Sequence, residues 1–195
     1  MQTASNQTNH SFNGGNKTLD INYRKERFEV YLDMQETIEK YYDYSLTYSR
    51  CSECSGFAGT WACPGFDFEP KEYWQQFSQL HFIVDRISNE GTSSVDEAQN
   101  QLFAEKKLYD EEMLEIEKGI EGSKALAAQE CTQCKKCARL NGHPCLHPDK
   151  MRYAVESLGL LAVKMVPDCF GFDILWSDGT SIPDYYLLVG GVLEK

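Results

Sequence analysis

The spacing of the cysteines limits this chain more than any other feature of its sequence. Eight cysteines occur in 195 residues, and seven of them fall into two groups. The Cys51 group consists of Cys51, Cys54 and Cys63. The Cys131 group consists of Cys131, Cys134, Cys137 and Cys145. In a reducing compartment, cysteines set this closely are typical of metal ligands rather than of disulfides.

The N-terminal sequence and the net charge indicate the setting of these thiols. Residues 1–16 lack the basic and apolar regions of a secretory signal, and no apolar run reaches the length of about 18 residues that a membrane span needs. We therefore expect a cytoplasmic protein that does not contact membranes. Lys and Arg number 19 and Asp and Glu number 30, a net charge of −11. This charge disfavours nucleic-acid binding and favours a basic redox partner, and the sequence does not indicate the oligomeric state.

The Cys131 group has the spacing of an iron–sulfur site. A 4Fe-4S cluster takes one thiolate on each iron, and bacterial ferredoxins supply three of these from a C-x2-C-x2-C run. Cys131, Cys134 and Cys137 reproduce that run, and Cys145 beside Pro144 adds a fourth thiol. Zinc is the alternative, because two of the intervals have the C-x2-C form of zinc sites. We expect a 4Fe-4S protein for electron transfer or redox sensing, with a structural zinc-binding interaction module as the alternative.

The Cys51 group is one ligand short of a closed site. Its fourth ligand could be Cys169 or a thiol exchanged with the Cys131 group, although we interpret Cys169 as a small buried apolar residue. The imidazole of His143 or His147 could replace a thiolate, but four cysteines already suffice. An open position on an iron would instead make the protein an enzyme. We expect one cluster, or two if the Cys51 group binds its own, and we expect the loops that carry the two groups to meet.

Residue periodicity in the rest of the chain predicts an α+β fold. Residues 1–20 carry few large apolar side chains and are predicted to be a disordered leader, followed by a single metal-binding domain over residues 21–195. Ser94 and Glu97 have the form of a capping box and predict the start of a long helix, whose acidic face we interpret as solvated.

Shorter elements are predicted on both sides of the long helix. Apolar spacings of three, four and seven predict a helix over residues 23–44. Pro148 at a first helical turn and Gly159 as a stop predict a second helix over residues 149–158. Strands are predicted at residues 81–87, 160–166, 172–177 and 185–193. Together these elements predict an antiparallel sheet of about four strands, packed by one long and one or two shorter helices, with the cysteine-rich loops clustered at one end.

The order of the motifs matches one known pattern. Cys51 and Cys54 are followed by Trp61-Ala-Cys-Pro64, and the Cys131 group is followed by Pro148, Arg152, Glu156 and Gly159. This order resembles the predicted metal-binding proteins of domain of unknown function 2284 over roughly residues 45–193. The chain departs from that family at Gly65, where a second Pro is usual, and at Tyr153-Ala154, where Pro-Ser is usual. The resemblance implies metal binding by the two cysteine groups and implies no particular reaction.

Overall fold

The computed structural model describes residues 6–12 and 19–195, with side chains from residue 23 onward. Its centre is an antiparallel sheet of five strands in the order β1-β2-β3-β5-β4. The strands are β1 (Asn6–Phe12), β2 (Leu19–Asp33), β3 (Gln79–Ser88), β4 (Lys124–Leu126) and β5 (Tyr185–Glu194). The central strands β3 and β5 pair along their whole lengths, from Gln79 opposite Glu194 to Ser88 opposite Tyr185.

Among the described residues, five helices accompany the sheet, so the α+β class is confirmed. They are α1 (Met34–Tyr41), α2 (Tyr44–Ser52), α3 (Pro70–Trp74), α4 (Val95–Gly119) and α5 (Ala162–Phe170), with 3-10 turns at Ala138–Asn141 and Glu156–Leu158. One helix is long, as predicted, but four short helices are present where one or two are predicted.

Helices cover both faces of the sheet, which explains why β3 and β5 are buried along almost their whole lengths. Successive side chains of a strand point to opposite faces. Phe82 of β3 therefore enters a core with Trp74 of α3 and Met165 of α5. Its neighbour Ile83 enters the core beneath α4, together with Tyr109.

The long helix begins at the predicted residue. The Ser94 hydroxyl accepts a hydrogen bond from the Glu97 amide at 3.2 Å. The Glu97 carboxylate accepts from the amide of Ser93 at 2.8 Å, one residue before the position that the capping box predicts. The two bonds satisfy donors at the helix start that would otherwise lack partners.

The acidic side of α4 is not wholly solvated, and that prediction is wrong. Glu105 is 1% exposed and Asp110 is 8% exposed. Glu105 pairs with Lys25 of β2 at 2.8 Å, and Asp110 pairs with Lys106, which is itself only 1% exposed. These carboxylates face basic groups from the strand and from the same helix, a pairing that periodicity alone does not reveal.

The helix predicted over residues 23–44 is wrong in its first half. That half belongs to β2, whose residues from Lys25 to Asp33 pair with β3. Helix α1 starts only at Met34, where Asp33 caps it by accepting from the Glu36 amide at 2.9 Å. Apolar and aromatic residues in this stretch fit the helical and strand periods almost equally, and pairing with a central strand decides between them.

Three predicted elements between residues 149 and 177 are also wrong. Residues 149–158 contain only the 3-10 turn at the end, because the chain is extended where the Tyr153 carbonyl accepts from the Ala127 amide at 2.9 Å. The strand predicted at 160–166 overlaps α5, which buries Ala162, Met165 and Val166 at helical spacing. No strand forms at residues 172–177. The predictions at 81–87 and 185–193 are confirmed as parts of β3 and β5.

The predicted leader over residues 1–20 falls largely on residues 1–5 and 13–18, which lie outside the described residues. Within it, Asn6–Phe12 forms β1 and pairs with β2 from Asn6 opposite Arg27 to Phe12 opposite Leu19.

Across the described residues, no helix combines the length and the hydropathy needed to cross a membrane.

Candidate metal centre

The Cys51 group lies on the last turn of α2 and in the series of tight turns that follows. The Cys54 amide donates to the Cys51 carbonyl at 3.0 Å, and the Cys63 amide donates to the Thr60 carbonyl at 3.1 Å. Gly56 joins the two turns: its amide donates to the Cys54 sulfur at 3.4 Å, and its carbonyl lies 3.7 Å from the Cys63 sulfur. The backbone therefore holds the three thiols of this group near one another.

The Cys131 group lies in the irregular segment after β4. Its four cysteines line one cavity of about 320 Å³, a volume that includes its open mouth. All four thiols are half-buried. The remaining lining residues are Trp61, Gln133, Ala138, Leu146 and Met151. The structure therefore brings the four predicted ligands to one place and adds an aromatic wall contributed by the loop of the Cys51 group.

Arg139 joins the two cysteine loops. Its guanidinium donates to the carbonyls of Thr60 at 2.6 Å and Cys63 at 2.9 Å, and also to those of Pro64 and Gly65 at 3.1 and 3.3 Å. The same guanidinium lies 5.3 Å above the Trp61 ring. The Trp61 indole N–H donates to the His143 carbonyl at 3.0 Å. The loops therefore meet, as the sequence predicts.

Burial and the neighbouring thiols both disfavour ionisation of Cys51 and Cys131, one from each cysteine group. Burial, with smaller contributions from Glu156, Cys63 and Cys54, raises the pKa of Cys51 to about 11. Burial also raises the pKa of Cys131, and Cys145 and Cys137 act in the same direction. Metals bind the thiolate, so binding must drive protons off these sulfurs. The positive charge of a metal ion would favour the thiolate form and so oppose the effect of burial on these two sulfurs.

One buried cation lies near the Cys131 group. The Lys106 ammonium, paired with Asp110, acts against the rise in the pKa of Cys131. Burial raises the pKa of Glu156, and Lys106 opposes this rise as well. Because four thiolates around a metal centre concentrate negative charge, a buried ammonium in their field offsets part of that charge.

Of the three residues considered as extra ligands, Cys169 stands apart from this arrangement. Cys169 lies on α5 and packs against the apolar core beside that helix. His143 and His147 are exposed, and both use their backbone carbonyls as acceptors. Among the described residues, no three His, Cys, Asp or Glu side chains converge closely enough to hold a single metal ion as they stand.

The segment that follows the Cys131 group is anchored to α4 and to the residues after α1. Arg152 donates to both carboxylate oxygens of Glu117 at 2.6 Å. Gly159 has a φ of +98°, and a Cβ there would meet the Tyr42 ring at 2.8 Å. The resemblance includes Arg152 and Gly159, and the structure gives both a role in holding the chain rather than in touching the cavity. Arg139 and Lys106 are the site residues that sequence reasoning missed, because no spacing pattern marks them. Trp61 belongs to the motif that carries the resemblance.

Comparison with known proteins places this site in a family. Residues 43–193 match the family described as predicted metal-binding protein (DUF2284). No curated protein matches the chain, and no solved structure does. The matched residues include both cysteine groups and the segment that joins them to the sheet. The chain therefore belongs to this family of predicted metal-binding proteins.

Proposed function

We propose that the chain binds a 4Fe-4S cluster through the Cys131 group and uses it for electron transfer or redox sensing in the cytoplasm. The observation that carries the proposal is the single cavity lined by Cys131, Cys134, Cys137 and Cys145. A cubane cluster needs its thiolates spread around a volume, because each one binds a different iron. A shared cavity supplies donors in that arrangement. When bound, the cluster would supply a centre that accepts and releases one electron.

The chain's own residues would shape that centre in three ways. The four thiolates would hold it, and the Trp61 ring and the half-buried lining would limit the access of water. The Lys106 ammonium would favour the more negative redox state. Backbone amides near the sulfurs, such as that of Gln133 beside Cys131, would act in the same direction, since hydrogen bonds to cluster sulfurs raise the reduction potential.

A structural zinc site is the second candidate, favoured by the way Arg139 and Trp61 join the two loops. Zinc takes four thiolates at about 2.3 Å around one point, and it would stabilise the joined loops without redox chemistry.

The three thiols of the Cys51 group lie outside the lining of the cavity described above. We propose that this group binds a second metal centre that is completed from outside the group. An enzyme with an iron open to substrate is a special case of this second centre.

Anaerobic purification followed by metal and sulfide analysis distinguishes these candidates. We expect a brown protein that contains iron and acid-labile sulfide and whose visible absorption bleaches on reduction. Cys134→Ser should remove most of that absorption. The matched control, Cys169→Ser, should retain it, because Cys169 lies on α5 away from the cavity. A colourless protein with stoichiometric zinc and no sulfide would refute the cluster and establish the zinc module.

The number of centres follows from a second pair of variants. Cys51→Ser combined with Cys54→Ser should reduce the total iron while sulfide and visible absorption from the Cys131 group persist. If the same double substitution leaves the metal content unchanged, the Cys51 group holds no metal of its own.

A further inference from the structure

The segment that carries the Cys131 group differs in charge from the rest of the chain. Residues 131–150 contain four basic side chains (Lys135, Lys136, Arg139 and Lys150) and one acidic side chain, Asp149, a net charge of +3. Because the whole chain carries −11, the remainder carries −14. The net charge of the molecule therefore hides a local positive surface beside the candidate metal centre.

The exposed lysines of this segment are not paired with carboxylates of the described residues. Lys135, Lys136 and Lys150 are exposed and form no ion pair among the described residues, in contrast to Lys106 and Arg152, which are paired with Asp110 and Glu117. Unpaired surface lysines project their field into solvent over roughly a Debye length. A binding partner would meet this field first.

The same segment, residues 131–150, also carries two exposed apolar side chains. Leu140 is 56% exposed and Leu146 is 67% exposed, and Leu146 also lines the cavity of the Cys131 group. Exposed leucines surrounded by charges are typical of protein–protein interfaces, which combine an apolar centre with a polar rim. Here the exposed Leu146 lines the cavity itself, where a redox partner would have to approach.

We propose that the surface formed by Lys135, Lys136, Lys150, Leu140 and Leu146 docks a small acidic electron-carrier protein at the metal centre. The inference rests on the proposed function, because it names the partner of that same centre. The argument is charge complementarity: an acidic carrier is repelled by the acidic remainder of the chain and attracted at this surface. The field would therefore orient the carrier with its own redox group toward the cavity.

The proposal is tested by titrating the metal-loaded chain with a small acidic ferredoxin and measuring the binding affinity by calorimetry. We expect binding at about 0.01 M salt and its loss at about 1 M, where the Debye length falls from about 30 to about 3 Å. Lys135→Glu with Lys136→Glu should weaken binding about tenfold at low salt. Lys150→Glu, outside the cysteine triplet, should weaken it in the same direction. Leu140→Gln should weaken it about threefold without changing the salt dependence.

A matched control variant has the same net charge as Lys135→Glu with Lys136→Glu. Lys107→Glu with Lys164→Glu reverses two exposed lysines on α4 and α5 and should leave the affinity within about twofold. Iron and sulfide are measured in every variant. A wild-type protein without them refutes the proposed function, whatever the docking result.

Other results overturn the docking surface while leaving the cluster intact. One such result is an equal affinity of the ferredoxin for the Lys135→Glu, Lys136→Glu variant and for the control variant. Another is that a basic cytochrome c binds more tightly than the ferredoxin. A third is that a single-stranded RNA competes with the ferredoxin for the chain. A dimer that the lysine reversals dissociate would show instead that the occupant of this surface is a second copy of the chain.

Discussion

Arg139 shows how one side chain can connect two loops that are distant in sequence. Its planar guanidinium presents several N–H groups in a fixed arrangement. Four backbone carbonyls between Thr60 and Gly65, in the loop of the Cys51 group, accept hydrogen bonds from it. These carbonyls belong to a stretch without helix or strand partners. The side chain therefore supplies hydrogen bonds that regular secondary structure supplies elsewhere.

Replacing Arg139 by Lys should separate the two loops. An ammonium is a point charge and cannot reach four carbonyls at once, so we expect the free energy of unfolding to fall by about 2 kcal/mol. Chemical denaturation measures the change. Arg50→Lys is the control, because Arg50 is 73% exposed in its pair with Glu53, and it should change stability by less than about 0.5 kcal/mol. Equal effects of the two substitutions would contradict the role of Arg139.

Cys63→Ser should lower both the metal content and the melting temperature. Cys63 lies in the Cys51 group and also offers its carbonyl to Arg139, and metal binding contributes free energy to folding only when its ligands are present. Metal analysis and thermal unfolding of the same preparation provide the measurement. Full metal loading with an unchanged melting temperature would exclude Cys63 as a ligand. Cys169→Ser should leave the metal content unchanged.

At the scale of elements, the end of α4 anchors the segment that follows the cysteines. Glu117 accepts from Arg152 and from the amide of Ala125 in β4, the latter at 2.6 Å. Burial raises the pKa of Glu117, but these hydrogen bonds and the Arg152 charge outweigh it and leave the pKa below its ordinary value. The carboxylate thus fixes the helix, the edge strand and the returning chain relative to one another.

Glu117→Gln should destabilise the fold by about 3 kcal/mol at neutral pH, because the buried Arg152 loses its countercharge. A carboxyl whose pKa is lowered in the folded state stabilises the fold above its unfolded pKa and loses that contribution as the pH falls through the folded value. The difference between wild type and variant should therefore shrink below about pH 4. Glu115→Gln removes an exposed pair on the same helix and should leave the pH profile of stability unchanged.

Sequence reasoning identified the elements whose signals are local and missed those decided by distant contacts. The start of α4 was predictable because Ser94 and Glu97 act within one turn. Strand β2 was not, because its period is ambiguous, and only pairing with β3, about fifty residues later in the sequence, selects the strand. The ligand candidates followed from cysteine spacing alone. Arg139 could not be predicted, because its acceptors are carbonyls, which carry no residue-type signal.

At the scale of the whole molecule, the apolar cores and the cysteine loops are separate sources of stability. The buried cores consist of side chains from the sheet and its helices. No cysteine of the Cys51 group or the Cys131 group belongs to either core. The loops depend on Arg139, on Trp61 and, in our proposal, on metal.

Removing the metal should therefore loosen the loops without unfolding the sheet. Hydrogen exchange on metal-loaded and metal-free protein should show protection lost over residues 51–65 and 131–150 and kept in β3 and β5. The central strands provide the internal control. Loss of protection in β3 and β5 as well would mean that the metal supports the whole fold.

The position of β5 in the sheet has a consequence for how the chain is made. β5 lies between β3 and β4, yet both cysteine groups and both of these neighbours precede it in sequence. During synthesis, β3 and β4 leave the ribosome before the strand that joins them exists. Contacts between segments so distant in sequence form slowly. The nascent chain therefore exposes all seven grouped thiols before its sheet is complete, and in that interval they are open to metal ions and to oxidants alike.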